Sequence, residues 1–179
     1  MLRTLCGALI ALVVVLPARA ADDEVDLGGM KAKAPATWKA GKPASQMQVA
    51  TFTLPKADGG PEDAQVIVYF FGQGGGGGVD ANVKRWQGMF KAPAGDKSKV
   101  DEFKVGDVPV TEVDISGTYL SRVGGPFNPN AKVEEKSEYR MVGVIFESKN
   151  GPYYMRLIGP AKTVAKHKNE FDEWLKNLK

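Results

Sequence analysis

The stretch GQGGGGGVDAN, Gly72 to Asn82, leads from an apolar segment into a helical pattern. In that context backbone amides at a helix start can hold a phosphate. The chemistry also needs a Lys and a Ser or Thr for the terminal phosphate and its metal. Neither follows the glycines, and Asp80 stands where it would repel an anion. Gly72, Gly74 and Gly77 satisfy the dinucleotide pattern G-x-G-x-x-G, but a run of five glycines satisfies it by composition alone. The expectation is a flexible connection and no nucleotide cofactor.

Acid–base chemistry would have to come from carboxylates. Glu112 and Asp114 are two residues apart in a strand-like stretch, which puts both on one face. His167 is the only histidine and lies at the edge of an apolar helical stripe, the position of a half-buried packing residue rather than a catalytic base. Ser116, within VDISGT, lacks the first glycine of the G-x-S-x-G elbow, where Asp114 stands instead. With one imidazole and no second ligand of its kind, no metal site is expected. The acidic run DDEVD places Asp22, Glu24 and Asp26 alternately, but Leu27 occupies the sharp-turn position of a calcium loop and Lys33 its closing acidic one.

No residue is assigned a catalytic role. The candidate binding residues are those where polar groups meet aromatic ones: Asn82, Arg85 and Trp86 on the helix after the glycines, and Asp114, Thr118 and Tyr119 at the end of a strand. Arg85 would hold an anionic group or pair with Asp114. A salt bridge closing the helix onto the sheet is the plainer outcome.

Met1 to Ala20 combines Arg3, an apolar run from Leu5 to Leu16, Pro17 and the small-x-small triplet Ala18-Arg19-Ala20, the pattern of a cleaved export signal. The run is shorter than the ~20 residues a membrane span needs. The expected division is a signal over 1–20, a flexible tail over 21–34 and one domain over 35–179. The expected location is the periplasm or the exterior, as a soluble monomer without an integral membrane segment. Cys6, the only cysteine, falls within the signal, so the processed chain would carry no thiol, disulfide or thiolate metal site. The formal charge is +3, of which Arg3 and Arg19 supply two, leaving about +1 and no reason to expect a nucleic-acid partner.

The remaining pattern supplies the scaffold. Gln46–Pro55 and Ala64–Gly72 read as strands of a hairpin, the second apolar on both alternating faces and so expected to be covered on both. Val79, Val83, Trp86 and Phe90 recur at helical spacing, with Asp80 as the expected N-cap. Strands are expected at 103–105 and 108–115, then a long loop over 116–136 rich in Gly, Pro and Asn. Glu138–Lys149 and Pro152–Pro160 flank Asn150-Gly151, a hairpin signal. From Ala161 a helix presents Val164, Phe171, Leu175 and Leu178 on one face, and Trp38 is expected to anchor the lead-in to the core. Lys168 and Asp172 fall at the i, i+4 spacing of a solvated mixed-charge face.

This order predicts an α+β fold, a mainly antiparallel sheet with helices packed on both faces. The pieces MQVATFTLP, YFFG followed by NVKRW, VDISGTY, YRMVGVIF and YYMRLIGPAKTV resemble those of exported bacterial hypothetical proteins of unknown function. In element order the chain is similar to the PsbP-like α/β/α sandwich. That resemblance implies an accessory or binding role rather than catalysis. The expected function is an exported cell-envelope binding or accessory protein with an envelope protein or small ligand as partner. The alternative is a small carboxylate-based hydrolase.

Overall fold

The computed structural model describes residues 24–92, 98–123 and 132–179. The expected signal lies outside these residues, as does GGPFNPN within 124–131. Among the described residues the fold is α+β: mainly antiparallel sheet with two helices. Two strands, β1 (Glu24–Leu27) and β2 (Met30–Lys33), form a hairpin of their own. A seven-stranded sheet holds β3 (Lys39–Ala40), β4 (Gln48–Leu54), β5 (Ala64–Phe70), β6 (Lys99–Val105), β7 (Val108–Val123), β8 (Lys132–Ser148) and β9 (Gly151–Pro160). Their order is β3-β4-β5-β9-β8-β7-β6, every pair antiparallel. The helices are α1 (Val79–Gln87) and α2 (Ala161–Lys176).

The connection from β5 to β6 decides where α1 lies. Strands β9, β8 and β7 separate those two, so the chain crosses about 19 Å of sheet at ~4.8 Å per strand. The nine residues of α1 cover only ~13.5 Å of that distance. The glycine run and the segment after Gln87 must supply the rest. Where the helix crosses β8, Trp86 lies over Gly143, and a Cβ there would come within 2.4 Å of the indole. A side chain at that position would lift the helix off the sheet.

Alternate residues of β8 enter two apolar clusters, as pleating requires. Val142, Val144 and Phe146 pack with Val164, Phe171, Trp174 and Leu175 of α2. Met141 and Ile145 pack with Trp86, Phe90, Val113 and Ile115. Trp38 joins the first cluster against Phe52, Phe171 and Trp174, and its Nε1 donates to Glu170 at 2.9 Å.

Several expectations are corrected. The segment 21–34 is not a flexible tail over its described part, because Val25, Leu27, Ala32 and Ala34 are buried in the first cluster. The EVDL alternation and the Gly28-Gly29 turn, both residues at positive φ, build the hairpin that buries them. Lys31 and Lys179 then exchange backbone hydrogen bonds, tying the hairpin to the far end of the chain. The expected loop over 116–136 is mostly strand: β7 runs on to Val123 and β8 begins at Lys132. Asp80 does not cap α1. The N-cap is Gly78, and Asp80 sits inside the first turn.

Candidate functional site

Because α1 is short, it leaves part of the β5-β9-β8-β7 surface beside it open. A groove of about 230 Å³ occupies that surface. Ile67 of β5 and Ile158 of β9 lie on its lining, with Arg156 paired across from Ile67 and Gln65 across from Ile158. Ile67 and Tyr69 are therefore only half-buried, where β5 was expected to be covered on both faces. The walls bring Tyr119 and Ser121 from β7 and Lys136 and Tyr139 from β8. Glu62 and Asp63, from the turn before β5, close one end.

A bulge makes this convergence possible. Lys136 and Tyr139 are three residues apart, so a regular strand would send them to opposite faces. Between the pairs Gly117↔Tyr139 and Tyr119↔Lys136, however, Ser137 and Glu138 oppose the single residue Thr118. Glu138 carries the extra residue at φ 55°, the left-handed region usually left to glycine. Both side chains consequently meet on one side, with Lys136 Nζ donating to Tyr139 Oη at 3.0 Å. Tyr139 in turn donates to Glu62, and Lys136 also lies 3.3 Å from Glu62 Oε1. The Tyr119 and Tyr139 rings stack with centroids 5.8 Å apart, and Phe90 leans on Tyr119.

Electrostatics hold these groups in their resting protonation states. The hydrogen bond to Tyr139 and the charge of Glu62 raise Lys136 above its ordinary value, against a cost of burial. Burial, then the hydrogen bond to Glu62, pushes the Tyr139 phenol up. An amine nucleophile or a phenolate base would need the opposite shifts. Arg156 donates through Nη2 to Tyr69 Oη at 2.5 Å, lies 5.0 Å over the Tyr69 ring and touches Met89 Sδ through Nη1. Among the described residues no carboxylate lies within salt-bridge distance of Arg156.

The six residues expected to form a site are dispersed. Tyr119 lines the groove, and Thr118 stands opposite the bulge, its carbonyl accepting from the Lys91 amide at 2.9 Å. Trp86 is buried over Gly143. Asn82, 1% exposed, turns inward: its Nδ2 donates to the carbonyls of Gly76, Gly77 and Gly78 at 2.9, 3.2 and 2.9 Å. Arg85 donates to Asn82 Oδ1 and does not pair with Asp114. Asp114 points to the other side of β7 from Val113 and Ile115 and takes a bidentate pair of bonds from Arg140 at 2.9 and 2.6 Å. The pleat therefore separates Asp114 from the Trp86 cluster.

The glycine run is not the flexible connection expected. Tyr154 Oη donates to the Gly77 carbonyl at 2.7 Å, and Gly76, at φ 82°, passes so close that a Cβ would meet the Tyr154 ring at 2.5 Å. The groups turned toward Asn82 and Tyr154 are carbonyls filled by donors. A phosphate cradle has the opposite polarity, amides turned toward an anion.

The other candidates for chemistry are structural ties. His167 is 4% exposed rather than half-buried, with Nε2 2.8 Å from the Pro55 carbonyl and Nδ1 3.1 Å from Glu170, so both ring nitrogens are engaged. Burial alone would push Glu170 up, but hydrogen bonds from His167, Thr37 and Trp38 outweigh it and hold the carboxyl below its usual range. Glu112 is buried against Lys168 at 2.9 Å, and Lys168 also holds Asp172 at 2.7 Å. The partners shift differently: burial raises Glu112, while Lys168 stays raised despite burial. The reason is stoichiometry, one ammonium shared by two carboxylates. The Lys168–Asp172 spacing read as a solvated face thus belongs to a partly buried cluster joining α2 to β7. No group of three or more potential metal ligands occurs among the described residues, and no helix among them is long and apolar enough to cross a membrane.

No family model matches the chain, and no curated protein does. It is similar to a solved structure described as a protein of unknown function, PA94 from Pseudomonas aeruginosa, putative regulator. Identity is 13% and the TM-score 0.47, over 87% of this chain and 94% of that one.

Proposed function

We propose that this protein is an exported binding or accessory protein of the cell envelope whose groove beside α1 receives a small ligand. One observation carries the reading. The groove gathers aromatic, cationic and hydrogen-bonding side chains from β7, β8 and β9 by means of a bulge with a left-handed Glu138, while its Lys and Tyr are held away from nucleophile or base chemistry. Bulges commonly re-aim side chains next to functional sites. The finer architecture, a PsbP-like sandwich with α1 and α2 on opposite faces, belongs to the same reading and is supported by the alternation of β8 residues between the two clusters. So does membership of the exported hypothetical-protein family. The carboxylate-hydrolase alternative has less support, because Glu112 and Asp114 are each engaged by a cation outside the groove.

A thermal-shift screen of small metabolites against the purified protein and the groove-filling variant Ser121→Trp tests the ligand reading. Compounds that raise the melting temperature of the native chain and leave the variant unmoved are expected. Stabilisation that survives the plug, or turnover of a screened compound, overturns it. Export is checked separately by fractionation and N-terminal sequencing, with a start at Ala21 or Asp22 expected.

A further inference from the structure

We infer that the groove takes a small planar carboxylate, its anionic end on Arg156 and its ring along Tyr119; this rests on the binding reading above. The two acidic residues at the groove are already engaged. Glu62 accepts from Tyr139 and Lys136, and Asp63 Oδ1 accepts from the Lys56 amide at 2.9 Å. Lys136 is neutralised by Glu62. Arg156 differs, because its partners among the described residues are a phenol oxygen, a thioether and an aromatic face, all uncharged. Glu62 and Lys136 offset each other, and Asp63 keeps its charge beside an amide donor. Arg156 is the groove cation with no carboxylate within salt-bridge distance among the described residues, so it is the group able to take an incoming anion.

The chemistry of that cation selects the anion. A guanidinium presents a flat fork of donors that matches a carboxylate bidentately. A phosphate would ask for further cationic donors, and the groove's other cation, Lys136, is already engaged by Glu62. A cavity of about 230 Å³ lies below the ~300 Å³ at which drug-sized sites begin, so one ring with a carboxyl group fits the space. Tyr119, half-buried and stacked on Tyr139, offers aromatic surface, and Ile67 and Ile158 offer an apolar floor.

Calorimetric titration with benzoate, its neutral isostere benzamide and inorganic phosphate tests this on the native chain and on Arg156→Met, Arg156→Lys and Tyr119→Leu. Benzoate is expected to bind at least tenfold tighter than benzamide, the worth of a hydrogen-bonded charge pair. Arg156→Met should weaken benzoate at least tenfold and leave benzamide within twofold. Arg156→Lys, which retains the charge without the fork, should fall between, and it reports even if the Met variant does not fold. Equal affinity for benzoate and benzamide overturns the carboxylate assignment. Phosphate binding as tightly as benzoate overturns the ring, as does undiminished benzoate affinity in Tyr119→Leu. No binding of benzoate at all overturns the inference alone if screened compounds still bind in a Ser121-sensitive way, and the broader reading fails only if they do not.

Discussion

Replacing Asn82 by Asp changes one atom type in a nearly invariant shape and reverses the polarity of the contact that holds the glycine run. Asn82 Nδ2 has two N–H groups shared among three carbonyls. Two such bonds contribute ~0.5–1.5 kcal/mol each, so Asn82→Ala should cost about 1–3 kcal/mol. Asn82→Asp loses the same donors and adds a charge facing the same carbonyls in a site 1% exposed. Two effects oppose that penalty: Arg85 stands beside Oδ1, and the first turn of α1 favours an anion by ~0.3–1 kcal/mol. Removing a charge from water costs several kcal/mol even when a partner is present. The net expectation is about 3 kcal/mol lost at pH 7, a fall in melting temperature of roughly 6–12 °C for a domain of this size. Burial beside acceptors raises the folded pKa of the introduced carboxyl above its unfolded value. Its favourable contribution is then present in acid and lost as pH rises, so the deficit should shrink by pH 4.5. Urea unfolding at both pH values, with Asn82→Ala alongside, measures all of this. If Asn82→Ala costs less than about 0.5 kcal/mol, donation to the glycine carbonyls is not what orders the run.

Gly143→Ala should destabilise by ~1–3 kcal/mol in urea unfolding, since the new methyl meets the Trp86 ring; a change below 0.5 kcal/mol would mean α1 rides higher than described. Glu112, raised by burial, contributes most below its unfolded pKa and loses that contribution as pH rises; Glu112→Gln should therefore compare increasingly well with the native chain from pH 4 to pH 7 in paired denaturation curves. Glu170, held low by its donors, contributes above its unfolded pKa and loses that contribution as pH falls; Trp38 fluorescence should report loosening in acid that Glu170→Gln already shows at neutral pH. Glu138→Gly should stabilise by up to ~1 kcal/mol by relieving a left-handed backbone, measured by the urea midpoint, and a loss of stability would contradict the bulge geometry.

The parts legible in sequence were those whose signal is local. Asn150-Gly151 between two apolar runs marked the β8–β9 hairpin, which closes with Ser148 opposite Gly151. The stripe Val164, Phe171, Leu175 and Leu178 marked the buried side of the last helix and the residue beyond it. The Gly28-Gly29 turn between alternating strands is equally local, but the acidic run beside it has the composition of a solvated tail and masks the pattern. The groove was not legible in this way. Its bulge rests on Glu138 in a conformation that composition does not announce, and a Gly, Pro and Asn-rich stretch hid the extensions of β7 and β8. Of the expected site residues Tyr119 alone lines the groove; Lys136, Tyr139 and Arg156 are not among the expected residues, though an arginine at the centre of an otherwise apolar strand such as YYMRLIG is a local signal.

By itself the sequence determined the α+β class, the buried stripe of the last helix and the scarcity of reactive groups, because periodicity and composition act through neighbours along the chain. Only the tertiary structure decided which strands lie between β5 and β6, and with that how much surface a nine-residue helix leaves uncovered. It also decided that Asp114 meets Arg140 and Arg85 meets Asn82. Such pairings depend on strand order and register, which set distances between residues far apart in sequence and leave no mark on the spacing of either one.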